Sequence, residues 1–400
     1  MDLVTLEEVR AAARRLDGIV QTTPIERSRT MTEIAGREVL LKCEHLQRTG
    51  SFKLRGAYCM IAGLSEAERD RGVVCASAGN HAQGVALSAQ ITGCRATVFM
   101  PERAPLPKVA ATRAYGADVR LEGDSFDDAY AASVGFAERS GATYVHPFEH
   151  RDVIAGQGSL GLDVLAQVPE AGTVVVPIGG GGLAAGVASA VKLTRPDVVV
   201  IGVQAAGAAA FPASLAAGRP EPIDRVSTLA DGIAVKRPGE LTLAHVAARV
   251  DEVVTVSDEA IARAVLLLVE RAKQVVEPAG AAGLAAVLGG AGDLPPPVVA
   301  ILCGGNVDPL LLQRIMQSGM FEEGRYYALR TRLRDQPGAL SALLALVAET
   351  GANILAVGHH RMRTRLGVLE VEVELEVETR GPDHIGELVD ALVASGYPVA

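Results

Sequence analysis

Lys53 lies within Thr49-Gly50-Ser51-Phe52-Lys53-Leu54-Arg55-Gly56-Ala57, directly behind a Gly-Ser turn. Leu54, Ala57, Tyr58 and Ile61 have helical spacing, and Ser51 is the expected N-cap. A lysine at a helix start sits beside unpaired backbone N–H groups and the positive end of the helix dipole. Both disfavour its ammonium form. An amine that can be neutral attacks carbonyl carbon, aldehydes included. Alone the residue carries little weight, because most lysines near helix starts are solvated.

Three other stretches sit where ligands bind. Gly179, Gly180, Gly181 and Gly182 follow an apolar strand (173–178) and precede a small-residue helix beginning at Leu183. Successive glycines expose unobstructed N–H groups beside a helix N-terminus, which suits a phosphate. A dinucleotide site would need an acid near position 204, where Gln204 stands, so the pattern fits a monophosphate better than NAD. Ser77-Ala78-Gly79-Asn80-His81 occupies the same strand-to-helix position earlier in the chain. Its N–H groups suit a carboxylate, and the Asn80 amide suits a hydroxyl. Cys303 ends a buried strand ahead of Gly304, Gly305 and Asn306; as a free thiol it also reads as a small core residue.

The elements that must hold these groups alternate. Strands at 72–76, 96–100, 118–121 and 143–145 are separated by helices at 82–91, 108–115 and 124–138. A second block has strands at 173–178, 198–204, 252–256 and 298–302. A short strand at 39–43 precedes the lysine, and Thr5 with Glu8 forms a capping box for a first helix ending near Leu16. Strands alternating with helices make parallel α/β sheets, and right-handed crossovers put the strand C-terminal ends along one edge.

From residue 326 the order becomes strand, helix, strand, strand, helix and a short end, the ferredoxin-like plan. Leu369, Val371, Val373, Leu375 and Val377 alternate with glutamates, as in a half-buried antiparallel strand. With the hairpin tip at Leu366-Gly367, Arg363 would face Glu370 and Arg361 would face Glu372.

At 400 residues, two or three folding units are expected. A net charge of −9 gives no reason to expect nucleic acid or an anionic membrane as partner. Five scattered cysteines form no C-x-x-C pair and no zinc spacing, so reduced thiols in the cytoplasm and no metal site are expected. No signal peptide and no membrane-spanning run is read.

Taken together, the stretch from Leu41 to Asn306 resembles the fold-type II pyridoxal phosphate (PLP) enzymes, most closely the threonine/serine ammonia-lyases (threonine dehydratases). The resemblance runs through the Lys53 and Asn80 stretches, Gly156-Gln157-Gly158, Pro177 with the four glycines and Leu183, Ala230-Asp231-Gly232-Ile233-Ala234-Val235, and Cys303-Gly304-Gly305-Asn306. The tail from Tyr326 resembles an ACT regulatory domain, through Asp335, Pro337, Gly338 and Gly351-Ala352-Asn353.

The resemblance implies a tryptophan synthase beta-like, two-lobed parallel-sheet α/β catalytic domain over residues 1–320. A smaller lobe at about 50–150 would be inserted in the larger one, and a ferredoxin-like ACT domain would cover 325–400. Lys53 would carry PLP and move the α-proton. Phe52 would pack on the ring, and Asn80 would bond its hydroxyl. Gly179, Gly180, Gly181, Gly182 and Leu183 would hold the phosphate, Cys303 would face the pyridine nitrogen, and Glu277 would lie near the cofactor. Ser77, Ala78, Gly79, Asn80 and His81 would take the substrate carboxylate. Asp335, Pro337, Gly338 and Asn353 would bind an amino-acid effector, in a homo-oligomer (dimer or tetramer). The implied reaction is deamination of L-threonine to 2-oxobutanoate and ammonia, with some action on L-serine. Related serine racemases carry a serine where Ala78 stands, and Ala78 cannot serve as their second acid/base. Relatives usually carry glutamate at the position of Asp163.

Overall fold

The computed structural model describes residues 2–292, 294–361 and 366–399. The chain divides into two compact units, Met1–Val307 and Asp308–Ala400.

The first unit holds two sheets. The larger has the order Ile25–Arg27, Val39–Lys42, Val298–Ile301, Thr173–Pro177, Val199–Ala205, Glu252–Val256. All its pairings are parallel except that of the edge strand Ile25–Arg27, which the sequence did not reveal. The smaller sheet, Asp118–Leu121, Ala96–Met100, Val73–Ala76 and Thr143–Tyr144, is wholly parallel. Its strands fall in the chain between Val39–Lys42 and Thr173–Pro177, two strands of the larger sheet.

The central strands are buried along their whole length, which explains their unbroken apolar runs. Helices on the larger sheet are built from alanine and valine. Ala184, Val187, Ala188 and Val191 of the helix Gly182–Thr194 pack with Val174, Val176, Val299 and Ile301 of the strands. Thr5 and Glu8 form the capping box expected for the first helix, Leu6–Arg15.

Ser51 is not an N-cap. The helix Lys53–Ala62 begins from Phe52 with no side-chain cap, because the preceding backbone is drawn off toward residues 303–304. Ser51 bridges Gly304, and Phe52 N–H donates to Cys303 O at 3.1 Å.

In the second unit the helix Pro309–Glu322 precedes the strand Tyr326–Arg334, the helix Ala339–Glu349, the strands Asn353–His360 and Glu370–Glu378, and the helix Pro382–Ala394. Glu370–Glu378 lies between the other two strands and is antiparallel to both, while Val399 makes a single bridge to Thr331 on the outer side. This is the ferredoxin-like order, with the last strand reduced to one bridge. Val371, Val373, Leu375 and Val377 are fully buried, but Leu369 precedes the strand and is exposed.

The hairpin register also differs from expectation. His360, not Arg361, stands opposite Glu372, after a register shift between Ile354 and Ala356. Arg361 instead reaches Asp335, with Nε at 2.8 Å from Oδ2. The expected pairing of Arg363 with Glu370 lies outside the described residues.

Candidate active site

Lys53 is the first residue of its helix, and its amine lies 3.2 Å from Pro147 O and 5.1 Å from the centre of the Phe52 ring. Burial pushes the amine down to about 8, while Cys303 and Glu277 oppose the shift. Desolvation, rather than the helix terminus expected from the sequence, is the leading cause. Two residues on, Arg55 has the opposite surroundings. It is buried against Glu44 (2.6 Å), Asp163 (2.8 Å) and Ser159 (2.9 Å), and its charge is fully matched. Asp163 therefore keeps the carboxylate that this pairing needs.

Asn80 begins the helix Asn80–Thr92, again with no side-chain cap. Its amide lies in a chain of three side chains: Asn306 Nδ2 donates to Asn80 Oδ1 at 2.8 Å, and Asn80 Nδ2 donates to Glu277 Oε1 at 2.6 Å. Asn306 Nδ2 also donates to Thr49 O at 2.8 Å, which ties the chain to the Lys53 stretch. The order fixes which end of the Asn80 amide is the donor. Burial raises the Glu277 carboxyl to about 7, with Asp231 adding to the rise and Asn80 opposing it.

The four glycines fill a tight place. Gly181 has φ +94° and is the N-cap of the helix Gly182–Thr194, which has no side-chain cap either. A Cβ on Gly180 would come 2.2 Å from the Phe148 ring. The loop thus carries no side chains of its own, and its helix start has no side-chain cap. Leu183 is buried in the helix behind it.

Ser77, Ala78 and Gly79 are partly accessible ahead of Asn80. Ser77 Oγ accepts Gly79 N–H at 3.2 Å. His81 faces away from this loop's N–H groups: its Nε2 donates to Val145 O at 2.8 Å, and burial pushes its imidazole down to about 3. It is a neutral, hydrogen-bonded core residue. Cys303 is buried, with Sγ 3.7 Å from Ala279 O, and burial raises its thiol.

These groups converge. A Cβ on Gly304 would meet both Glu277 Oε1 (2.2 Å) and Asn80 Nδ2 (3.0 Å), and Gly232 approaches Glu277 and Ala279. Ile233, next to Gly232, stands over Gly179, which joins the glycine loop to the same site. The arrangement fits a phosphorylated aldehyde. It offers a half-buried amine with a lowered pKa, and an uncapped helix start behind a loop that carries no side chains of its own.

Comparison with known proteins gives the same class. The pyridoxal-phosphate dependent enzyme family matches residues 16–304, and the chain belongs to that family. It is therefore a PLP-dependent enzyme of the fold-type II class. More particularly, it is 49% identical over 397 residues to the L-threonine ammonia-lyase of Thermotoga maritima, covering 99% of each chain. It is 46% identical over 392 residues to that of Geobacter sulfurreducens, covering 98% of each. Among solved structures, the processed form of threonine deaminase isoform 2 from Solanum lycopersicum superposes with a TM-score of 0.74 at 35% identity, over 78% of this chain and 94% of that one.

In the second unit, Pro337 and Gly338 line a cavity of about 590 Å³, together with Arg332, Arg334 and Tyr397. Gly338 is the N-cap of Ala339–Glu349, without a side-chain cap. Asp335 and Asn353 do not line it: Asp335 holds Arg361, and Asn353 Nδ2 donates to Glu378 at 3.2 Å. Among the described residues there is no cluster suited to a metal ion and no helix long and apolar enough to cross a membrane.

Sequence reasoning assigned no role to Asn306, although it quoted the residue in a motif. It also passed over residues 146–149. Their position after the strand Thr143–Tyr144, at a strand C-terminal end, was the available signal.

Proposed function

We propose that this chain deaminates L-threonine to 2-oxobutanoate and ammonia, with L-serine as a secondary substrate. The observation that carries the reading is Lys53: a half-buried amine lowered to about 8, at an uncapped helix start beside a phosphate-type glycine loop. PLP supplies an electron sink for the pair left behind when the α-proton departs. Lys53 Nζ takes and holds that proton, its pKa lying close enough to working pH to act in both directions. Gly179, Gly180, Gly181 and Gly182 receive the phosphate, with Leu183 anchoring the helix behind them. Asn80 meets the ring hydroxyl, Phe52 packs beside the ring, and Glu277 holds the Asn80 amide in place. Ser77 and the N–H groups of Ala78, Gly79, Asn80 and His81 orient the substrate carboxylate. Cys303 stays a neutral thiol near the cofactor, since burial raises its pKa. Ala78 offers no second acid/base, which speaks against racemisation. The near full-length likeness to threonine ammonia-lyases supports threonine as substrate.

The test is kcat/KM on threonine, serine and 3-hydroxyaspartate, read as 2-oxo acid release. A preference of about tenfold or more for either alternative would overturn the substrate assignment.

We further propose that residues 325–400 form an ACT domain that binds an amino-acid effector in a cytoplasmic homo-oligomer, a dimer or tetramer, with catalysis confined to residues 1–320. The cavity beside Gly338 supports this, since two arginines and an open helix start suit a carboxylate. Five unpaired buried thiols accord with the compartment. Threonine turnover with and without isoleucine, valine or AMP tests the regulation; a flat response to isoleucine and valine would remove it.

A further inference from the structure

The turn at residues 146–149 touches both Lys53 and the glycine loop. His146 Nδ1 accepts two backbone hydrogen bonds, from Phe148 N–H at 3.3 Å and Glu149 N–H at 2.8 Å. Each residue of the turn then meets a different part of the site. Pro147 O receives the Lys53 amine at 3.2 Å. The Phe148 ring fills the space in front of Gly180 and Gly182. The Glu149 carboxylate accepts Leu241 N–H at 2.6 Å and Thr242 N–H at 3.3 Å, and so caps the helix Glu240–Arg249 that has no cap of its own.

Nδ1 can accept two N–H groups only while it carries no proton. Burial holds the His146 imidazole down at about 4, and Lys53 and His150 act in the same direction. The ring is also held in place by Phe148, edge-on at 4.6 Å, and by Tyr144 at 6.2 Å.

We propose that His146 is a positioning residue whose Nδ1 folds the 146–149 turn and so holds Lys53 and the glycine loop in place relative to one another. The lysine is reached through the Pro147 carbonyl and the glycine loop through the Phe148 ring. His146 thus couples the two ends of the cofactor site without touching the reacting atoms. The inference rests on the reading of Lys53 as the amine that carries PLP.

Two substitutions in the full chain separate the acceptor from the ring. His146→Phe keeps an aromatic ring against Tyr144 and Phe148 but removes the acceptor. His146→Asn loses most of the packing but offers Oδ1 to the same N–H groups, as asparagine does in turns. The readouts are the dissociation constant for PLP, the share of Lys53 labelled after borohydride reduction at limiting PLP, and the melting temperature. His146→Phe should weaken PLP binding about tenfold and lower the labelling in step, as loss of two backbone hydrogen bonds would. His146→Asn should stay within about threefold of the parent, even though it melts lower. The reverse order, or equal losses in both variants, would overturn the role by making packing the cause. If His146→Phe does not fold, His146→Ala takes its place against His146→Asn with the same two readings. Failure to label Lys53 in the parent protein is a different result: it would sink the lysine assignment itself.

Discussion

Helices of the first unit begin in different ways. Thr5, Ser65 and Ser125 each complete a capping box and Ser257 caps Ala260 N–H, while Leu106–Ala114, Ala210–Ala217 and Glu240–Arg249 have no side-chain cap from their own N-cap residue. The four that begin at the site start from Phe52, Gly79, Gly181 and Glu277, and none of these caps its helix with a side chain. A cap places an oxygen where the first N–H groups point. An anionic ligand needs the same place. The two sets therefore differ in what is meant to satisfy the helix end: the chain itself in one, a bound molecule in the other. A missing cap costs about 1 kcal/mol of stability, and four missing caps at one cleft mark a site.

The largest test of this contrast is Lys53→Ala. The substitution keeps the uncapped helix start and removes the side chain beyond Cβ, amine included. Turnover of threonine should fall by about a thousandfold or more, borohydride should label no lysine in the site, and the circular dichroism spectrum should be unaltered. A variant that kept a tenth of the parent's activity would show that the Lys53 amine is not the reacting group.

Glu277 is the one ionisable residue among the four starts, and its carboxylate is turned to Asn80 rather than to its own helix. Its pKa stands at about 7 against an ordinary 4.5. Between those values the folded chain holds a proton that the unfolded chain has released, so its stability falls as pH rises through this window. Glu277→Gln keeps an acceptor for Asn80 and does not titrate. In cofactor-free protein it should melt above the parent at pH 8, by the equivalent of about 3 kcal/mol, and the gap should close toward pH 4.5. Equal gaps at pH 5 and pH 8 would mean that the carboxyl is not held as described.

The local half of this contrast was legible in the sequence. Thr5 with Glu8 reads as a capping box, and the apolar runs at 173–178 and 298–302 read as buried parallel strands. Their periodicities and caps lie within a few residues. The glycine loop and the Asn80 stretch were legible for the same reason. The links between them were not. Asn80 reaches Glu277 across 197 positions and Asn306 across 226, and no local pattern carries such a pairing. Ser51 was misread as an N-cap because a Gly-Ser turn before a helix is the usual signal, while the backbone pairing with Gly304 that overrides it is a tertiary contact. Arg361 was set opposite Glu372 by counting from the hairpin tip. The pairing found, His360 with Glu372, is one residue short of that count, and one residue reverses which face a side chain takes.

A smaller effect is expected at Gly180. Alanine there would drive its Cβ into the Phe148 ring, at 2.2 Å before relaxation. Overpacking of this kind costs about 1–3 kcal/mol. If the loop is shaped for a ligand, the loss should be larger in the cofactor-bound protein than in the cofactor-free one, since moving the ring or the loop also spoils the phosphate niche. Equal losses in both forms, measured as shifts in melting temperature, would make the glycine a packing requirement only.

The smallest effect belongs to the other side of the comparison. Ser65 starts the helix Glu66–Arg71, accepting Glu68 N–H at 3.3 Å while Glu68 returns a carboxylate to Ser65 N–H at 2.8 Å. No residue of this helix is buried, so packing contributes little to holding it. Ser65→Ala removes the Oγ acceptor of Glu68 N–H and the Oγ–H donor to Glu68 Oε2 (2.6 Å) while keeping the Ser65 N–H bond, and should destabilise the protein by about 1 kcal/mol, with no change in PLP affinity or in KM for threonine. At the cleft the logic reverses. Gly79→Ser would supply the cap that the helix Asn80–Thr92 lacks, and the place of its Cβ is open. The new hydroxyl should leave the cofactor-free protein as stable or slightly more so, yet raise KM for threonine, because it competes with the substrate carboxylate for the same N–H groups. A Gly79→Ser variant with unchanged KM would show that those N–H groups are not where the substrate is held.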